Sequence, residues 1–233
     1  ASKFQYENYL DRQDISGGLD GGYKLTEKTT VTLGYRYGRQ DQFVGPNAAN
    51  TAFVNSPYDS AYHRILVGVE GSPADWLKLN VAVGPDIRDY SGEARQTYPR
   101  FDDNELLCYI DASVTLLPTK QDSITLMNRR YQQPAFSSFS VYEDITYDIT
   151  YRHTFSPQWT AGAGFQLYIG DWQAPVGRED WIYTPSVFVS YAVTDKFSAE
   201  ASYSYDWVES QVPNTSGREY TRHLVALGAR YTF

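Results

Sequence analysis

The stretch Val141–Phe155, VYEDITYDITYRHTF, alternates between two kinds of side chain. Val141, Ile145, Tyr147, Ile149, Tyr151 and Phe155 share one parity, while Tyr142, Asp144, Thr146, Asp148, Thr150, Arg152 and Thr154 share the other. Successive side chains of a strand point to opposite faces, so this period of two predicts a strand with one apolar face and one charged face. Trp76–Tyr90 repeats it, with Leu77, Leu79, Val81, Val83 and Ile87 set against Lys78, Asn80, Asp86 and Arg88.

Outward from these two, ten further segments read the same way, at roughly 3–10, 13–25, 29–40, 60–71, 104–117, 122–132, 158–171, 180–193, 196–208 and 218–233. The expected total is about twelve strands, an even number as in bacterial single-chain barrels. Connections alternate in length. Thr26–Lys28, Ser72–Asp75, Pro118–Asp122, Ser156–Gln158 and Thr194–Lys196 are short and built from Pro, Ser, Asp and Thr. Asp41–Asp59, Ser91–Asp103, Gln133–Ser140, Gln173–Asp180 and Glu209–Gly217 are longer. Short turns at one end and long loops at the other predict an outer-membrane barrel, periplasmic turns below and extracellular loops above.

Alternation alone does not say which face is inside. The polar parity carries charges in mid-strand, among them Arg36, Arg64, Glu70, Arg88, Asp111, Asp148, Arg152, Glu200 and Arg222. Aromatic residues sit at both ends of the apolar parity. Toward the short turns lie Tyr23, Trp76, Phe155, Trp159, Phe197 and Tyr231; toward the long loops lie Tyr37, Trp181, Tyr183, Tyr205 and Trp207. Two such bands read as girdles at the two lipid–water interfaces. The apolar face is therefore expected to meet lipid.

Composition agrees. Aromatic residues make up 16% of the 233 residues, which favours pleated strands over helices. A formal charge of −8 excludes nucleic acid as a partner, because phosphates call for basic patches. Cys108 is the single cysteine, so no internal disulfide or cysteine-based metal cluster is expected. No run of 18 or more apolar residues provides a transmembrane helix. No cofactor or metal is expected.

The last strand ends on Phe233, with Tyr231, Ala229, Leu227 and Val225 at every second position before it and Arg230, Gly228, Ala226, Leu224 and Arg222 opposite. This closely resembles the terminal strand of bacterial outer-membrane β-barrel proteins of the porin-like type. With the loop asymmetry and the girdles, the resemblance covers nearly the whole chain. It implies a closed antiparallel transmembrane β-barrel over 1–233, as one domain in the outer membrane of a Gram-negative bacterium. It also implies that Val225, Leu227, Ala229, Tyr231 and Phe233 form the signal read by the barrel-assembly machinery. The expected partners are outer-membrane lipid, that machinery during biogenesis, and a membrane-protein partner or further copies of the chain.

A barrel of this size lies between plugged eight-stranded and open sixteen-stranded ones, so a narrow pore fits. The expected function is a porin-like channel for passive passage of small hydrophilic solutes or ions. Arg36, Arg64, Arg88, Asp111, Asp148, Arg152, Glu200 and Arg222 are the expected pore-lining residues. The loop Gln40–Ser60 is a candidate inward constriction. The alternative is a non-conducting structural or docking barrel, holding a partner or surface polymer through its loops, with Pro134–Tyr142 as one sticky edge. A third reading is an outer-membrane enzyme. His63 lies beside Asp59 and Ser60, but neighbours on a strand point in different directions, and His153 and His223 carry lipid-face parity. No Gly-x-Ser-x-Gly elbow or His-Glu-x-x-His motif occurs, and Asp102–Asp103 reads as a solvated loop pair.

Overall fold

A computed structural model of the chain describes residues 11–44, 52, 54–135, 139–174, 177–212 and 219–232. The elements are β1 (Asp11–Thr26), β2 (Thr29–Val44), β3 (Val54–Asn55), β4 (Ser60–Ala74), β5 (Leu77–Tyr90), the short helix α1 (Glu93–Thr97), β6 (Asn104–Leu116), β7 (Asp122–Pro134), β8 (Val141–Thr154), β9 (Trp159–Ala174), β10 (Arg178–Ala192), β11 (Phe197–Ser210) and β12 (Tyr220–Tyr231). They form one antiparallel sheet in which neighbours along the chain pair in order, with β3 attached to β2.

The sheet has twelve members, although the twelfth is the two-residue β3. The expected strand at 3–10 lies outside the described residues, as does Phe233. The other expected strands are present, and several run further toward the long loops. Continued pairing of β9 with β10, as far as Trp172 opposite Arg178, shrinks the expected loop Gln173–Asp180 to residues 175–177.

The faces are inside out relative to a water-soluble fold. Leu33, Ile65, Val67, Ile149 and Val187 are exposed, while Asp86, Arg88, Gln42 and Gln132 are among the most buried side chains. In water each exposed Leu or Ile would forgo roughly 1.5–3 kcal/mol of burial; a hydrocarbon solvent removes that cost. The lower girdle residues Tyr23, Trp76, Phe155, Trp159, Phe197 and Tyr231 are all exposed. At the other end, Tyr37 is exposed and the rings of Tyr183 and Trp207 lie 5.5 Å apart.

The short-turn end is stitched between hairpins. Lys28 Nζ donates to Asp75 Oδ1 at 2.8 Å, and Ser72 N to the Lys28 carbonyl at 2.7 Å. The hydrogen bond between the Lys28 and Asp75 side chains raises the Lys28 pKa and lowers that of Asp75. Gly71 turns the β4 end at φ +123°, where a Cβ would run into the Lys28 carbonyl oxygen. The register of β4 on β5 shifts at this point.

One seam is shorter than the rest. β6 pairs with β7 only from Ile110 opposite Arg130 to Leu116 opposite Ile124. β7 stays paired with β8 up to Pro134 opposite Val141, and β6 with β5 up to Asn104 opposite Asp89. Above Ile110 and Arg130 the two strands part.

Candidate functional site

β5 places Asp86, Arg88 and Tyr90 on one parity at its long-loop end, facing the polar side of β4, β2 and β1. Arg88 is 1% exposed. Its Nη1 donates to Gln40 Oε1 at 2.6 Å, and its Nη2 to Asp86 Oδ2 at 3.2 Å. Asp86 Oδ2 also accepts from Arg64 Nε at 2.8 Å. Gln40 Nε2 donates to Asp14 Oδ2 at 2.7 Å, so one chain of polar contacts crosses four strands. Tyr62 underlies it, with the guanidinium of Arg64 4.2 Å and that of Arg88 5.1 Å from its ring centre. Gly38 makes room for that ring, which occupies the space a Cβ would take.

The parted end of β7 comes to this network across the interior. Its edge carbonyls, which no longer face β6, are taken up by side chains. Arg88 Nη2 donates to the Gln132 carbonyl at 2.9 Å and Arg12 Nη1 to the Pro134 carbonyl at 3.2 Å; just beyond the strand, Gln42 Nε2 donates to the Ala135 carbonyl. The Gln132 side chain, 0% exposed, bonds the Tyr90 hydroxyl and donates to Glu105 Oε2 at 2.9 Å. Buried polar groups are tolerable only when paired, and the main-chain carbonyls here obey that rule. A two-toothed contact between Arg130 and Glu143, at 2.7 and 2.8 Å, stiffens the hairpin.

Above this polar layer lies a small apolar one. Tyr58, Tyr90, Ala94, Phe101, Val141 and Ala174 are buried together, with Tyr98 and Phe139 packed against them. Tyr58, Ala94, Tyr98, Phe101 and Phe139 thus bring described parts of the loops after β2, β5 and β7 together at this end. Asp59 anchors the first of these loops by accepting from Gln42 N at 2.8 Å, and burial pushes its carboxyl above the usual range.

An antiparallel sheet whose neighbours pair in chain order, with apolar side chains exposed on one face and charged ones on the other, is the pattern of a strand-built membrane protein. The family model described as "Putative beta-barrel porin 2" matches residues 59–233. The chain belongs to this porin family. It is a porin-like β-barrel of the bacterial outer membrane. Among solved structures it is similar to "NanC porin structure in rhombohedral crystal form", at 12% identity and a TM-score of 0.45, covering 94% of this chain and 99% of the other. It is also similar to OmpT (in-vitro folded), an outer membrane protein of Vibrio cholerae, at 10% identity and a TM-score of 0.40, covering 96% and 95%. No curated protein matches the chain.

In this porin the eight residues expected to line the pore divide into groups. Arg64 and Arg88 share Asp86 in the constriction, with Arg88 buried rather than facing open space. Arg36 pairs with Asp20 at 2.6 Å, and Arg222 with Asp206 at 2.6 Å. Asp148 accepts from Thr150 Oγ1 at 3.0 Å. Asp111 stands opposite Arg129 in register. Arg152, 4.8 Å from the Phe188 ring centre, and Glu200 line a shared cavity of about 260 Å³ nearer the short-turn end, with Ser190, Ser198 and Arg230.

The histidines occupy the other face. His63 Nδ1 meets the Tyr35 hydroxyl at 2.7 Å and His223 Nδ1 meets that of Tyr203 at 2.8 Å. His153 Nδ1 lies 2.7 Å from Asp122. His63 is exposed whereas its sequence neighbour Ser60 is buried, so the two do not assemble. Gln132 and Glu105 belong to the constriction and were not expected there, whereas Gln42 lies within the candidate segment Gln40–Ser60. The available signal was Asn128, Arg130 and Gln132, which break the apolar parity begun by Ile124 and Leu126, and Glu143, which interrupts that of β8.

Proposed function

We propose that this barrel is a narrow channel for small hydrophilic solutes or ions, constricted at its long-loop end by the Arg88 network. The observation that carries this is the polarity of the two sheet faces: exposed aliphatic and aromatic side chains outside, paired charges and hydroxyls inside. In lipid an open sheet edge is untenable, because unpaired backbone groups find no water. Closure of the ring between β1 and β12, the two edges of the described sheet, is part of the proposal. The eleven long strands leave β1 and β12 running in the same direction, so an antiparallel closure calls for one further strand between them.

Arg36, Asp111, Asp148, Arg152, Glu200 and Arg222 set the electrostatic profile of the lumen in this reading, while Arg64 and Arg88 hold the constriction. Among the described residues, the loop aromatics Tyr58, Tyr98, Phe101 and Phe139 pack on one another, which favours the channel over a docking surface. Single-channel recording in a planar bilayer tests it. Step conductance is expected, with an ion selectivity moved toward cations by Arg152→Ala. A silent bilayer, with folding shown by heat-modifiable gel migration, would refute the channel.

A further inference from the structure

We propose that the outer part of β7 has two alternative partners, the latch of side chains described above and the free edge of β6, and that exchange between them opens the lumen. Only the last clause rests on the channel reading; the exchange itself does not.

The alternate residues of β7 that point their main-chain groups toward β6 are those on the parity of Arg130. Below Arg130 they meet β6; above it, the carbonyls of Gln132 and Pro134 are held by Arg88 and Arg12 instead. β6 meanwhile continues to Asn104 with β5 on one side and no β7 partner on the other. Extending the Ile110–Arg130 register places Gln132 opposite Cys108 and Pro134 opposite Leu106. Pro134 has no N–H to give, so the extension ends naturally there.

Neither arrangement satisfies everything. The latched one leaves Asp86 Oδ1 and Arg88 Nε, both deeply buried, without a hydrogen-bond partner. It also leaves the upper edge of β6 unpaired by β7. The zipped arrangement restores the ladder but takes the carbonyls of Gln132, Pro134 and Ala135 away from Arg88, Arg12 and Gln42. Two packings with offsetting defects in one polar seam are the physical basis of a bistable element. The parity-breaking Arg130, Gln132 and Glu143 fit both, because the side chains at the rim meet either the constriction or the polar headgroup layer. Arg130 and Glu143 clamp β7 to β8, so the hairpin moves as a unit.

The native Cys108, exposed and otherwise alone, is a built-in reporter. Gln132→Cys places a second thiol at the position that faces it only when the seam is zipped. Cross-linking by copper phenanthroline, in vesicles of the refolded full chain, is followed by non-reducing gel and peptide mass. A disulfide between position 108 and position 132 is expected. Its rate should rise about tenfold or more when Arg88→Gln removes a charged donor from the latch, since such a bond holds about that ratio of populations. Gln42→Ala, a milder change, should raise it less, and it carries the test if Arg88→Gln fails to fold. No cross-link in any folded background, or a rate indifferent to both latch substitutions, overturns the proposal. Conductance of the cross-linked protein separates the two readings: a locked-open current supports both, whereas a silent cross-linked barrel leaves the seam exchange standing and removes the channel.

Discussion

Asp86 is the residue on which the constriction depends most, and Asp86→Asn gives a worked test. Its carboxylate is 1% exposed and lies between Arg64 Nε at 2.8 Å and Arg88 Nη2 at 3.2 Å. The substitution keeps shape and removes charge, leaving two guanidinium groups without their shared anion. Breaking a buried pair of this kind costs about 3–5 kcal/mol. The lower end is expected here, because Arg88 keeps Gln40 Oε1 and the Gln132 carbonyl, and Arg64 keeps the faces of Tyr62 and Tyr109. The loss is therefore set at about 3 kcal/mol. Urea-driven unfolding of the protein in phospholipid vesicles, followed by tryptophan fluorescence, measures it. A double-mutant cycle with Arg64→Gln isolates the pair: Arg64→Gln in the Asp86→Asn background should cost less than in the native protein, since it then removes an unpaired cation. A loss below about 1 kcal/mol, the range of an exposed surface pair, would refute the assignment of Asp86 as a buried counter-ion.

Val67, exposed on the outer face of mid-β4, tests the lipid assignment: Val67→Arg is expected to cost about 2–4 kcal/mol in vesicles, and Ser202→Arg on the inner face of β11 far less, by the same unfolding assay. Gly71→Ala forces a Cβ against the Lys28 carbonyl at positive φ and should cost about 1–3 kcal/mol, read from the urea midpoint at unchanged slope. Asp59 has a carboxyl pKa raised by burial, so the folded state binds its proton more readily than the unfolded chain does. Its ionised form is thus a standing cost at neutral pH that fades as pH falls through the raised folded value toward the unfolded one. Asp59→Asn, which still accepts the Gln42 N–H, should accordingly be more stable than the native chain at pH 7, with the advantage shrinking toward pH 4 in paired melts.

Strands were legible because a strand needs only local information. Side-chain parity in Val141–Phe155, and turn residues such as those around Lys28 and Asp75, report face and turn without knowledge of any partner. The girdle of Trp76, Trp159 and Tyr231 was legible for the same reason: position along a strand maps onto depth in the bilayer. The constriction was not. Gln40–Ser60 was the expected inward segment, and its Gln42, Ser56 and Tyr58 are buried, but the outer part of β7 that meets them was not expected there. Arg88, read as pore-lining from parity, is sealed beneath the β7 edge.

By itself the sequence determined where the alternating strands lie and which of their two parities is apolar and which charged. Those features depend on periodicity, which any short window displays. Only the tertiary structure decided that β6 and β7 part above Ile110 and Arg130, and that Arg12, Gln42 and Arg88 hold the freed carbonyls. The bonds from Arg12 and Gln42 join residues 122 and 93 positions apart, and no local pattern encodes which distant donor a displaced carbonyl will find.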